Sequence, residues 1–146
     1  MKRNKANLRA LRDLVGYSQQ DLAGALGVNP RSVKRWEDPD GEYWAPDAAW
    51  EVLEGTLNVQ REMVEHMVGV CERVTEEAGR MPGSVPITYY RDQRMYDDWG
   101  RDPGSYGIAN ANARAVWREL DATGYPAEMR YPVPEVEDTR PERDEE

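Results

Sequence analysis

Apolar residues recur at helical spacing along most of the chain, and the breaks fall at Gly and Pro. Leu8, Leu11 and Val15 predict a helix over 7–15, with Arg9 and Arg12 turned outward and Gly16 as its stop. Ser18 is a good N-cap for a second helix, and Asp21, three residues on, completes a capping-box-like pair. Leu22, Ala23 and Leu26 face inward there, and Gly27 supplies the left-handed close. Asn29 caps a third helix whose first turn holds Pro30, where no N–H donor is needed. Val33 and Trp36 make its buried stripe; Arg31, Ser32, Lys34 and Arg35 lie off that stripe. The acidic stretch "EDPDGEYWA" then reads as a loop.

From Pro46 to about Ala78 the positions Trp50, Leu53, Leu57, Gln60, Val64, Met67, Cys71 and Val74 alternate at three and four. They form an a/d seam interrupted by Gln60. Such a helix either lies on its own core or is shared with a second copy, and its length, about nine turns, favours sharing. A break near Gly69 would shorten it. "GRMPGSVP" is a turn, and "ITYYR", residues 87–91, is β-branched and aromatic and predicts a strand. A short helix over 92–99 follows, then a loop, then a helix over 108–122 with Ile108, Ala111, Ala115 and Leu120 inward and Trp117 on the flank. "AEMRY", 127–131, is a second strand. Residues beyond Pro132 are rich in Pro and acids and read as disordered.

The fold class is therefore mainly α with a small β component. An N-terminal helix-turn-helix bundle leads, through a long connecting helix, into a small α/β C-terminal region suited to dimerisation. The implied divisions are 1–55, 56–132 and an acidic tail, 133–146.

Composition narrows the function. The chain has 146 residues, 39% apolar, with mean hydropathy -0.88. No apolar run approaches the ~18 residues of a membrane span. No secretion signal is expected, and the lone Cys71 fits a cytoplasmic setting. The net charge of -9 is unevenly spread. Residues 1–36 hold Lys2, Arg3, Lys5, Arg9, Arg12, Arg31, Lys34 and Arg35 against Asp13 and Asp21, a balance of +6, which leaves -15 on the remainder. A cationic contact surface on an acidic body is one reading of that split, and a chance cluster on a wet surface is the other. His66 is the only histidine and sits five residues from Cys71 on one helix. No metal-ligand set, nucleophile–base pair or Gly-rich phosphate loop is present, so no enzyme, cofactor or metal is expected.

Residues 19–36 decide between the two charge readings. A helix with small Ala23 mid-way, a turn glycine and a second apolar stripe are what two helices need to cross closely. "SQQDLAGALGV" followed by "NPRSVKRWE" resembles the helix-turn-helix of the Xre and phage-repressor family over about residues 7–54. Pro30 stands where Ser or Arg is commoner in that family, leaving Arg31 as the leading base reader. Together with the "YY" strand, "VNPRSVKRWE" is also similar to the anti-CRISPR-associated repressors with a C-terminal dimerisation domain, over about 7–131. That resemblance implies a protein of phage or mobile elements, a homodimer that represses a promoter by binding an inverted repeat in double-stranded DNA.

In this setting Gln19, Asn29, Arg31, Ser32, Lys34 and Arg35 are the expected DNA-binding residues. Arg31 suits bidentate pairing with guanine, Lys34 a base or phosphate, and Arg35 a phosphate or nearby Glu37. Lys2, Arg3 and Lys5 read as a basic arm on the DNA backbone or as a loose terminus. Trp50, Leu57, Val64, Met67, Tyr89 and Tyr90 are the expected dimerisation residues. A second reading makes the C-terminal half an antitoxin-like module that holds a protein partner.

Overall fold

The computed structural model describes residues 1–136, and the end of the expected acidic tail, 137–146, lies outside the described residues. Among the described residues six helices and two short strands follow in the order α1 (Lys5–Val15), α2 (Gln19–Leu26), α3 (Pro30–Glu37), α4 (Asp47–Ala78), β1 (Val85–Thr88), α5 (Gln93–Trp99), α6 (Tyr106–Ala122) and β2 (Ala127–Arg130).

Local chemistry fixes most of the boundaries. Asn4 caps α1 by accepting from the Asn7 N–H. Gly16 ends that helix at φ 83°, its N–H bonded to the carbonyls of Arg12 and Asp13. Ser18 and Asp21 form a complete capping box on α2, and Gly27 closes it at φ 66°. Asn29 caps α3, with Pro30 in its first position. All three helices thus satisfy backbone groups that would otherwise be left open at their ends.

Two apolar clusters share one spine. Leu8, Leu11, Val15, Leu22, Val33 and Trp36 pack with Ala49, Trp50, Leu53 and Leu57 from the first half of α4. Cys71 from the second half packs with Val85, Ile87, Ala113, Val116 and Leu120, supported by Val64, Met67 and Val68. The change from one cluster to the other falls between Leu57 and Val64, inside a helix that runs unbroken through Gly69. Gln60, the polar interruption of the seam, is buried there, and its Nε2 donates to the Leu14 carbonyl at 3.3 Å.

The strands pair in parallel, Val85 opposite Ala127 and Thr88 opposite Arg130. This strand lies two residues earlier than "ITYYR" suggested, and Tyr89 and Tyr90 follow it. Pro86 explains the displacement. The N–H groups of Val85 and Tyr89 donate to the carbonyls of Pro126 and Arg130, so the ring at 86 falls on the opposite edge, where no donor is required. Helix α6 also differs from the expected single inner face. It packs against α1, α4, α5 and both strands, and its buried residues are Asn110, Ala111, Ala113, Val116 and Leu120. Ile108 and Ala115 are only half-buried, and Trp117 and Trp99 are exposed. Asn110 is the polar member of that face. Its amide donates to the Tyr90 carbonyl at 2.7 Å and accepts from the Tyr90 N–H at 2.9 Å.

Candidate nucleic-acid interface

The second helix of the pair, α3, is held from beneath. Val33 and Trp36 are buried in the first cluster, and buried Ala23 lets α2 cross close by. Most other positions of α3 face out: Arg31, Lys34 and Arg35 are exposed and Ser32 is half-buried. Among the described residues none of these three cations takes part in an ion pair. The Arg35 guanidinium stands 5.3 Å from the Tyr43 ring centroid, a cation–π contact that aims it along the helix end. Asn29 uses its carbonyl oxygen on the Arg31 N–H at 2.9 Å, so it shapes the first turn that presents Arg31.

Gln19 enters the interface from the start of α2. Its Nε2 donates to Glu37 Oε1 at 3.3 Å. Glu37 in turn accepts from Arg12 Nε at 2.7 Å and Nη2 at 2.8 Å, a bidentate pair. Arg12 also donates to the Tyr17 carbonyl at 2.9 Å. Arg12 is therefore buried, at 7% exposure, not turned outward. Its position four residues after Leu8 already places it on the inner flank of α1, and its charge is neutralised there by Glu37. This also removes Glu37 as a partner for Arg35. Burial pushes the Glu37 carboxyl up, but the bonds from Arg12 and Gln19 and the nearby Arg12 charge outweigh it, and the group is held below its ordinary range. The bond to Glu37 likewise raises the Arg12 guanidinium.

The basic N-terminus is not a free arm. Arg3 pairs with Asp47 at 3.0 Å and Glu54 at 3.6 Å. Lys5 donates to the carbonyls of Arg35, Trp36 and Tyr43 and lies 4.8 Å from the Trp44 ring centroid. A cation is thus seated on the carbonyl end of α3, where the helix dipole favours it. Exposed Tyr43 and Trp44, in an otherwise acidic loop, serve as platforms for these cations. Neither Arg12 nor Lys5 was singled out by spacing as a residue that holds the interface, because each acts through a partner distant in sequence.

The expected dimerisation residues divide into two groups. Trp50 and Leu57, 4% and 6% exposed, belong to the chain's own first core, which corrects their assignment to a seam with a second copy. The elements that cover them, α1 and α2, precede α4 in the same chain. Val64 and Met67 are partly buried against the second cluster. Tyr89 Oη accepts from Arg114 Nη1 at 3.0 Å, and the Tyr90 ring meets Tyr96 edge-on at 4.9 Å. Val59, Met63 and Val74 leave an exposed apolar stripe along the flank of that seam on α4.

No described helix is long and apolar enough to cross a membrane. No curated protein matches the chain. Residues 8–37, from the first buried leucine of α1 to the last residue of α3, match a helix-turn-helix family model. With the α2–α3 crossing and the exposed cationic face of α3, that match makes residues 8–37 similar to the helix-turn-helix of DNA-binding regulators.

Proposed function

We propose that the protein is a homodimeric, sequence-specific repressor of the anti-CRISPR-associated kind, acting in the cytoplasm on an inverted repeat within a promoter. The exposed face of α3 carries this reading: three cations with no ion pair among the described residues stand on a helix anchored by Val33 and Trp36. A helix so presented enters the major groove with its first two turns against the base edges. Arg31 then pairs with guanine O6 and N7. Lys34 contacts a base or phosphate, Arg35 a phosphate, and Ser32 either. Gln19 meets the backbone beside the N-terminus of α2, where helix N–H groups favour an anion. Asn29 keeps the turn that carries Arg31.

The dimer forms through the C-terminal region, with Val64, Met67, Tyr89 and Tyr90 flanking the contact and exposed Val59, Met63 and Val74 adding apolar surface. Two copies place their α3 helices one duplex turn apart, ~34 Å. Selection of the full-length protein on a random duplex library tests the proposal. A palindromic consensus with half-sites at that separation is the expected product; enrichment of no sequence, or of a lone half-site, rejects it.

A further inference from the structure

Two glycines away from the DNA-facing surface carry an inference that rests on the homodimer reading. Gly107 lies in the first turn of α6, where a glycine is unfavourable for helix formation. Space accounts for it: a Cβ at 107 would stand 2.7 Å from the Gly16 carbonyl oxygen. Gly16, the left-handed cap of α1, is bare for the reciprocal reason. A Cβ there would collide with the Gly107 carbonyl and come within 2.8 Å of the Ala111 Cβ. The turn between α1 and α2 and the start of α6 therefore touch backbone to backbone.

A hydrogen bond locks the same joint. Ser105, the N-cap of α6, donates through Oγ to Asp21 Oδ2 at 3.0 Å, and that oxygen also accepts from the Ser18 N–H at 3.2 Å. The capping box of α2 is thus tied to the cap of α6. Beside the joint, packing is incomplete. A cleft of about 480 Å³ opens between the end of α1, α4 and α6, lined by Asp13, Leu14, Gln60, Val64, Arg114 and Arg118. The angle between the helix-turn-helix and the C-terminal body is consequently set by α4 and by this backbone contact, not by a filled apolar interface.

We propose that the Gly16–Gly107 contact and the Ser105–Asp21 bond determine operator spacing. They fix the angle at which the C-terminal body carries each α3, and hence the number of base pairs the dimer accepts between half-sites. One inserted base pair turns the second half-site by ~34°, since the duplex repeats every 10–10.5 base pairs. A dimer with rigid heads tolerates little of that rotation, whereas a loosened joint tolerates more.

The test uses the full chain with Gly107→Ala and, separately, Ser105→Asp, which keeps a good N-cap and sets a like charge against Asp21. Each protein is titrated with inverted repeats whose spacing changes in single base-pair steps, and with a duplex holding one half-site. Wild type should favour one spacing over its neighbours by at least about tenfold, the cost of one poor base-pair contact. Both variants should flatten that preference below about threefold or move its optimum, while single half-site affinity stays within about threefold and base preferences persist. Wild-type spacing profiles in both variants overturn the inference, as do equal losses on the repeat and on the single half-site. Ser105→Asp decides if Gly107→Ala melts below the assay temperature. A wild type that binds repeats no better than half-sites fails the dimer reading itself, whereas one that binds repeats at every spacing fails only the joint.

Discussion

At the scale of the residue, Arg31 and Arg35 look alike in exposure and charge but differ in placement. Arg31 sits in the first turn of α3, ordered by Asn29, and Arg35 sits in the last, against Tyr43. On the proposed docking of α3 in a major groove they take different tasks. Arg31→Ala should lose ~1–3 kcal/mol of discrimination at one base pair per half-site, the worth of a bidentate pair. Arg35→Ala should weaken every sequence alike. Titrating both variants against an operator mutated at each position checks this, and sequence-blind losses for Arg31→Ala would remove it as a reader. The exposure of these residues was legible in the sequence because a cation beside a buried stripe is a local pattern. Arg12 was not, since the same spacing that buries it conflicts with its charge. Only the arrival of Glu37, 25 residues later, resolves that conflict.

At the scale of the element, that pair staples α1 to α3 while Gln19 ties in α2. Removing one partner of a buried ion pair leaves the other charge without compensation, so Glu37→Ala should cost about 3–5 kcal/mol. Acid should act on the same bond. Because the folded carboxyl is held below its unfolded value, its contribution is complete above the ordinary glutamate range and fades as the pH falls through the depressed value. Urea midpoints should therefore drop more between neutral and acid pH for wild type than for Glu37→Gln; parallel curves would show that the pair adds nothing. Element ends were largely readable, since Ser18 with Asp21, Asn29 with Pro30 and the cap glycines act within a few residues of themselves. Strand β1 was misplaced because Pro86 reads as a breaker until its edge position is known. The inner side of α6 was misjudged because several elements cover it, and a one-faced periodicity does not describe such a helix.

At the scale of the whole molecule, the charge is unevenly divided along the chain. The exposed cations Arg31, Lys34 and Arg35 stand together on α3, while most of the acidic residues follow residue 36 in the sequence. Such an arrangement orients the protein as it approaches a polyanion. Two copies, each with at least two phosphate contacts, should give a log–log salt dependence of about -3.6 or steeper. Fluorescence titrations of the selected operator across a series of salt concentrations measure it, and a flat dependence would exclude backbone contact. The a/d seam of α4 was readable as a seam, but not which surface covers it. Its lower half is closed by α1 and α2 and its upper half by α6, and a repeat of apolar positions has the same form whether its cover is near in sequence, distant, or a second chain.

The uninterrupted course of α4 has a consequence for how this protein can diverge. One residue gained or lost between Leu57 and Val64 would swing everything downstream by ~100° and shift it by ~1.5 Å. Gly107 would no longer meet Gly16, and Ser105 would lose Asp21. Insertions and deletions should therefore accumulate in the 38–46 and 100–104 loops, and the rod itself should keep its length.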